Sequence, residues 1–230
     1  MSRAQLALDL GHRPALGRDD FLVAACNRDA VAWLDRWPDW PAGGLAIVGP
    51  AGCGKSHLAS VWRATSGAPL LAPADLDRGE PAALLAGATA CVIDDADRAI
   101  AGGARERALL HLYNHLREAR GQLLLTGRTP PARWPIALPD LASRLAAVPA
   151  VGVGMPDEAL LAAVLVKLFA DRQLRVGQDV VMFLVPRLER SFEAARQIVA
   201  AIDRAALAGG RAVTVPLVRE VLAGAADRAP

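Results

Sequence analysis

The sequence predicts an α/β protein: a parallel sheet covered by helices on both faces, followed by a small all-helical domain. Three observations carry this. Apolar runs of strand length recur at 45–48, 70–71, 90–93, 122–126 and 147–151. Helix-length segments separate them at 54–65, 81–87, 104–119 and 140–146, and strands alternating with helices in this way pair in parallel. Beyond Gly154 the strand signals stop, and 157–171, 178–187, 191–208 and 214–224 read as four helices.

Taken in order, residues 1–20 are polar, contain Gly11, Pro14 and Gly17, and show no sustained period, which predicts a mobile arm. From Asn27 the spacing of Val31, Trp33, Leu34 and Trp37 is helical, and Pro38 and Pro41 end it. The Gly43-Gly44 turn opens the strand-and-helix region. In the last domain Gly177, Gly209-Gly210 and Pro216 supply the breaks. The outline is an arm at 1–20, an α/β core at 21–154 and a helical domain at 155–230.

Composition excludes several classes. A chain of 230 residues with 53% hydrophobic and 22% charged residues is long and apolar enough to fold around a core. No apolar stretch approaches the ~18–20 residues of a membrane span, and the N-terminus lacks the order of a signal peptide. Cys26, Cys53 and Cys91 have no metal-ligand spacing, so a reducing cytoplasm is the expected location. The formal net charge of +2 argues against strong non-specific nucleic-acid binding. Of 26 basic residues only Lys55 and Lys167 are lysine; a lysine kept in that background points to a need for a compact ammonium.

Lys55 stands in Gly49-Pro50-Ala51-Gly52-Cys53-Gly54-Lys55-Ser56, which fits the phosphate-loop pattern G-x-x-x-x-G-K-[ST] between a strand and a helix that continues through His57. Glycines let backbone N–H groups turn inward around a phosphate, and the helix N-terminus adds partial positive charge. Lys55 is then expected at the outer phosphates and the Ser56 hydroxyl at Mg²⁺. Cys91-Val92-Ile93-Asp94-Asp95 supplies a second half: an apolar strand ending in an acid places Asp94 beside the metal, and Asp95 can orient or activate a water. His111 and His115 lie four apart on a helix, but Leu112 stands where a metalloprotease needs glutamate, so they are expected at the surface or as caps. The five tryptophans are too scattered for a base-stacking platform and are expected in packing.

With these motifs the chain resembles the AAA+ ATPases, and among them the DnaA initiator branch. Phe21-Leu22-Val23 followed by Asn27 and Ala30 looks like the segment leading into that branch's adenine pocket. Leu112-Tyr113-Asn114, Thr126-Gly127 with Pro130-Pro131, and 138–145 (Leu-Pro-Asp-Leu-Ala-Ser-Arg-Leu) are most similar to the regulatory inactivators of DnaA, the Hda type. The resemblance runs over nearly the whole chain. It implies an AAA+ core with a helical lid that binds an adenine nucleotide, ADP or ATP, with Mg²⁺. It implies that Arg144 is an arginine finger offered to a neighbouring subunit, and that Arg190 is the lid arginine contacting nucleotide. One departure matters: the family has an acid just after the strand tip Thr-Gly, and here Arg128 stands there, which leaves the chain's own hydrolysis weak or absent.

The ends of the chain carry further expectations. Only 223–230 follow the last helix, too little for a helix-turn-helix domain, so direct origin binding is disfavoured. Gln5, Leu6, Leu8 and Leu10, in Gln-Leu-Ala-Leu-Asp-Leu, resemble the peptide that binds the replication sliding clamp: leucines can enter an apolar groove while Gln5 hydrogen-bonds at its rim. The expected function is therefore stimulation of ATP hydrolysis on DnaA from the DNA-loaded clamp, with DNA contacted only through the clamp and a homodimer as a further expectation. Two alternatives stay open at this level. One is a helicase-loader-type AAA+ protein on single-stranded DNA, with steep salt dependence. The other is a P-loop kinase of a small metabolite, which needs an acceptor pocket and no protein partner.

Overall fold

A computed structural model of the chain describes residues 22–72, 74–77, 79–100 and 103–226. It divides into two compact units: one of residues up to Pro50 together with Lys55–Val153, the other of Ala51–Gly54 together with residues from Gly154 on.

The first unit is built on a five-stranded, all-parallel sheet. Its strands are β1 (Gly44–Val48), β2 (Leu70–Leu71), β3 (Ala90–Ile93), β4 (Gln122–Gly127) and β5 (Ala150–Gly152), in spatial order β2-β3-β4-β1-β5. Every residue of β3 and β4 is buried, the pattern of strands covered on both faces. The covering helices are α1 (Arg28–Leu34), α2 (Lys55–Ser66), α3 (Pro81–Leu85), α4 (Ala96–Ala99), α5 (Gly103–Glu118) and α6 (Pro139–Ala146). On α2 the apolar stripe Leu58, Ala59, Val61 and Trp62 turns inward, and Trp62 packs against the rings of Trp37 and Trp40. On α5, Leu109, Leu112, Tyr113 and Leu116 face the core cluster that also takes in Leu141 and Leu145 of α6.

Two elements depart from the sequence reading. Helix α4 was not expected, because four residues show no helical period. The last strand, expected at 147–151, is Ala150–Gly152. The N–H groups of Ala147 and Val148 instead close the last turn of α6, on the carbonyls of Arg144 and Leu145 at 3.2 Å each, and Pro149 has no N–H for a ladder.

The second unit carries α7 (Glu158–Asp171), α8 (Gln178–Leu184), α9 (Phe192–Gly209) and α10 (Val215–Ala226). Asp157 and Ser191 cap α7 and α9, accepting from the N–H of Leu160 at 2.8 Å and of Ala194 at 3.0 Å. Gly210 ends α9 at φ +56°, a left-handed turn suited to glycine. Pro216 was read as a break, yet it lies in the first turn of α10, where its missing N–H costs nothing. Phe169, Leu165, Leu184, Val199, Ile202 and Val218 are fully buried at the centre of this unit. Among the described residues no helix is long and apolar enough to cross a membrane.

Candidate functional site

The site starts at the carboxyl end of β1, where Gly49 and Pro50 leave the sheet and α2 begins at Lys55. The Gly49 N–H donates to Gly127 O of β4 at 3.1 Å, tying the start of the loop to the neighbouring strand. Lys55 is 6% exposed, and its ammonium donates to Gly49 O and Pro50 O at 2.9 Å each. The lysine thus bridges the carbonyls of its own loop, neutral acceptors that a phosphate oxygen outcompetes by charge. Ser56 and His57 are exposed in the first turn of α2, and Cys53 is buried.

The tip of the loop, Ala51–Gly54, belongs to the second unit. There Gly52 O accepts from the N–H of Phe192 at 2.9 Å. Gly52 has φ +75°, and a Cβ on it would stand 2.7 Å from the Cβ of Ser191. Both facts require glycine. Arg190, the residue before Ser191, is exposed and pairs with Glu158 of α7 at 2.6 Å.

The acids follow β3. The register places Ile93 opposite Leu125, so the next pair along is Asp94 and Thr126. The Ser56 hydroxyl donates to Asp94 Oδ1 at 3.1 Å, and the Thr126 hydroxyl donates to the same oxygen. Thr126 in turn accepts from the Asp95 N–H at 2.9 Å. Asp95 is exposed and left-handed, at φ 48°, a conformation aspartate tolerates better than most residues. Ser56 and Asp94 therefore present hard oxygens side by side, a donor set that fits Mg²⁺, which binds through few protein oxygens together with phosphates and water.

Two residues were missed in the sequence. Thr126 was noted only as part of a strand tip; its signal was a polar side chain in an otherwise apolar, buried strand. Asp97 was not singled out. No acid stands at 128, yet Asp97 Oδ2 accepts the Arg128 N–H at 2.8 Å, so α4 brings a carboxylate to the end of β4. The other oxygen of Asp97 is buried with no hydrogen-bond partner among the described residues.

Asn27 is 3% exposed and acts locally: its amide nitrogen donates to Leu22 O at 3.0 Å and its oxygen accepts from Ala24 N–H at 2.8 Å. It closes the turn before α1. Phe21 lies outside the described residues, as do Gln5, Leu6, Leu8 and Leu10. Arg144 is on the exposed face of α6, with Leu141 and Leu145 buried behind it. Its guanidinium donates to Asp140 Oδ1 at 2.8 Å, and that bond raises its pKa.

Comparison with known proteins adds the following. Residues 157–222 match the family model described as Hda, lid domain. Domain III of the Thermotoga maritima replication initiation protein DnaA superposes with a TM-score of 0.78 at 16% identity, covering 92% of this chain and 97% of that one. AMPPCP-bound DnaA from Aquifex aeolicus gives 0.65 at 16% identity, over 82% of this chain and 65% of that one. The Thermotoga maritima RuvB Holliday junction branch migration motor gives 0.59 at 12% identity, over 78% of this chain and 61% of that one. The chain thus spans less than two thirds of the length of those two longer proteins.

Proposed function

We propose that the chain is a DnaA-like AAA+ protein of the Hda type and that it inactivates the replication initiator by stimulating hydrolysis of the ATP that DnaA holds. A role in DnaA regulation is what the fold and the lid family point to. The match of 157–222 to the Hda lid carries the reading, because a DnaA-like core alone is equally at home in an initiator.

In this reading the arm, through Gln5, Leu6, Leu8 and Leu10, docks on the sliding clamp in the cytoplasm and brings the protein to DNA without contacting it directly. Arg144 enters the nucleotide site of DnaA, where a permanently charged, planar guanidinium stabilises charge on the transferring phosphoryl group. The protein's own site takes an adenine nucleotide: the loop amides of 49–54 and Lys55 hold phosphates, His57 flanks them, Phe21 and Leu22 border the base, and Arg190 reaches the nucleotide from the lid. Ser56 and Asp94 would hold Mg²⁺, which supplies charge neutralisation between the phosphates, and Asp95 stands near to orient water. The nucleotide-bound DnaA neighbour supports this cofactor. Nucleotide there governs presentation of Arg144, with little turnover of its own, and a homodimer is a further form the protein can take.

The test is hydrolysis of DnaA-bound ATP with loaded clamp, native protein, Arg144→Ala and a variant lacking residues 5–10. Supplied in trans, such an arginine contributes roughly 10³–10⁵ in rate. Stimulation should vanish in both variants while nucleotide binding persists. Full stimulation by Arg144→Ala would refute the finger, and stimulation independent of clamp and arm would refute the tether.

A further inference from the structure

Glu106 is a carboxylate that the proposed reaction does not touch, and it is 2% exposed. A buried carboxylate is costly unless its oxygens are occupied. These are occupied by backbone more than thirty residues away. Oε1 and Oε2 accept the N–H of Ala137 at 3.1 and 3.0 Å, and Oε2 accepts the N–H of Leu138 at 2.8 Å. Leu138 is the residue immediately before α6, it has no side chain able to cap the helix, and Pro139 after it has no N–H. One glutamate of α5 therefore grips the chain at the entry to α6.

What α6 carries makes that grip matter. The helix rests on the core through Leu141 and Leu145, both fully buried in the cluster that includes Leu109, Leu112 and Tyr113 of α5. Leu141 and Leu145 set which face of α6 turns inward. The hydrogen bonds at the entry add direction: they set where the helix starts and the angle at which it leaves α5. Arg144 lies six residues beyond Leu138, about 9 Å along the axis at ~1.5 Å per residue. A shift of one residue would turn it by about 100°.

We infer that Glu106 is the positioning residue for Arg144: it locks the entry of α6 to α5 and so fixes the direction in which the guanidinium is presented to the partner's nucleotide. This rests on the reading of Arg144 as the finger. A misplacement of ~1 Å at a reacting centre can cost ~10²-fold in rate, so loss of the Glu106 grip should lower the maximal stimulated rate and little else.

The experiment compares native protein, Glu106→Gln, Glu106→Ala and Arg144→Ala in the DnaA-bound ATP assay with loaded clamp. Each is normalised to folded protein by nucleotide-binding stoichiometry. Glutamine keeps one acceptor and alanine none, so the maximal rate should fall in that order, by about ten- to a hundredfold at alanine. The concentration giving half-maximal stimulation should stay within about twofold, because the docking surfaces are unchanged. Hydrogen exchange at the amides of Ala137, Leu138 and α6 should quicken in the same order, which is the readout independent of activity. A native maximal rate in Glu106→Ala overturns the inference, and so does a loss that disappears on normalisation. If Arg144→Ala stimulates normally, the finger reading fails instead, and the exchange data then report on the Glu106 grip alone.

Discussion

Removing the Thr126 hydroxyl while keeping its shape should disconnect the paired acids from the sheet. Thr126 is fully buried, donates to Asp94 and accepts from the Asp95 N–H. Valine is close to isosteric, so no cavity cost enters. What is lost is a hydrogen bond to a charged group, about 1.5–3 kcal/mol, and the partner of an N–H beside the surface, about 1 kcal/mol. Asp94 keeps the Ser56 hydroxyl at 3.1 Å and is not orphaned. A loss of about 2–4 kcal/mol in the first unit is expected. At about 2–4 °C per kcal/mol that is a fall of roughly 5–15 °C in its melting temperature. Thr126→Ser keeps the hydroxyl and removes one buried methyl, about 1 kcal/mol, and should lie between native and Thr126→Val. Calorimetric unfolding reads both, and titration of nucleotide with and without Mg²⁺ reads the site: Thr126→Val should weaken the Mg²⁺-dependent part by several-fold and leave the Mg²⁺-free affinity near native. The reasoning is refuted if Thr126→Val melts within about 2 °C of native, or if Thr126→Ser is the less stable of the two.

Lys55→Ala should weaken adenine-nucleotide binding by about ten- to a hundredfold, the loss of one charge-assisted contact of roughly 1.5–3 kcal/mol; calorimetry showing unchanged affinity would remove Lys55 from the site. Tyr113, the chain's single tyrosine, has its hydroxyl pushed above the usual value of 10.0 by burial, against the opposing pull of the Arg117 and Arg144 guanidiniums. Because the folded state holds this proton more tightly than the unfolded state, the stability it contributes is complete below about pH 10 and is lost as pH rises through the folded value. The ultraviolet absorbance of tyrosinate should therefore appear above pH 10 in the native protein, and Arg144→Ala should move it further up by removing a nearby positive charge.

How much of this was legible in the sequence depends on where the partners lie along the chain. The phosphate loop is eight consecutive residues with fixed geometry between a strand and a helix, so local sequence specified it. The pairing of Thr126 with Asp94 and the grip of Glu106 on Leu138 join residues 32 apart. They exist only because β3 lies next to β4 and α6 against α5, facts of strand order and helix packing that no local pattern carries. Strand ends were legible to within a residue or two where apolar runs stop at polar residues, as at Ile93. They were not legible at 147–148, where the same apolar residues served to finish α6. Asn27 adds a local contact that the segment did not announce: its amide ties Leu22 and Ala24 into the turn before α1.

The two arginines assigned to nucleotide chemistry share one arrangement, and it limits how they can be controlled. Arg144 pairs with Asp140 at 2.8 Å and Arg190 with Glu158 at 2.6 Å, each inside its own unit and each exposed. A guanidinium stays charged at any physiological pH, and the bond to Asp140 pushes Arg144 further that way. Arg144 is therefore not switched by a proton. Exposed ion pairs add little stability and are screened by salt, so these carboxylates orient the guanidiniums without sequestering them, and a phosphate carrying more charge and more acceptor oxygens displaces them. What remains available for control is geometry: whether α6 is held in register by Glu106, and whether the loop around Lys55 is filled. On this reasoning stimulation of DnaA by the native protein should follow nucleotide and ionic strength closely.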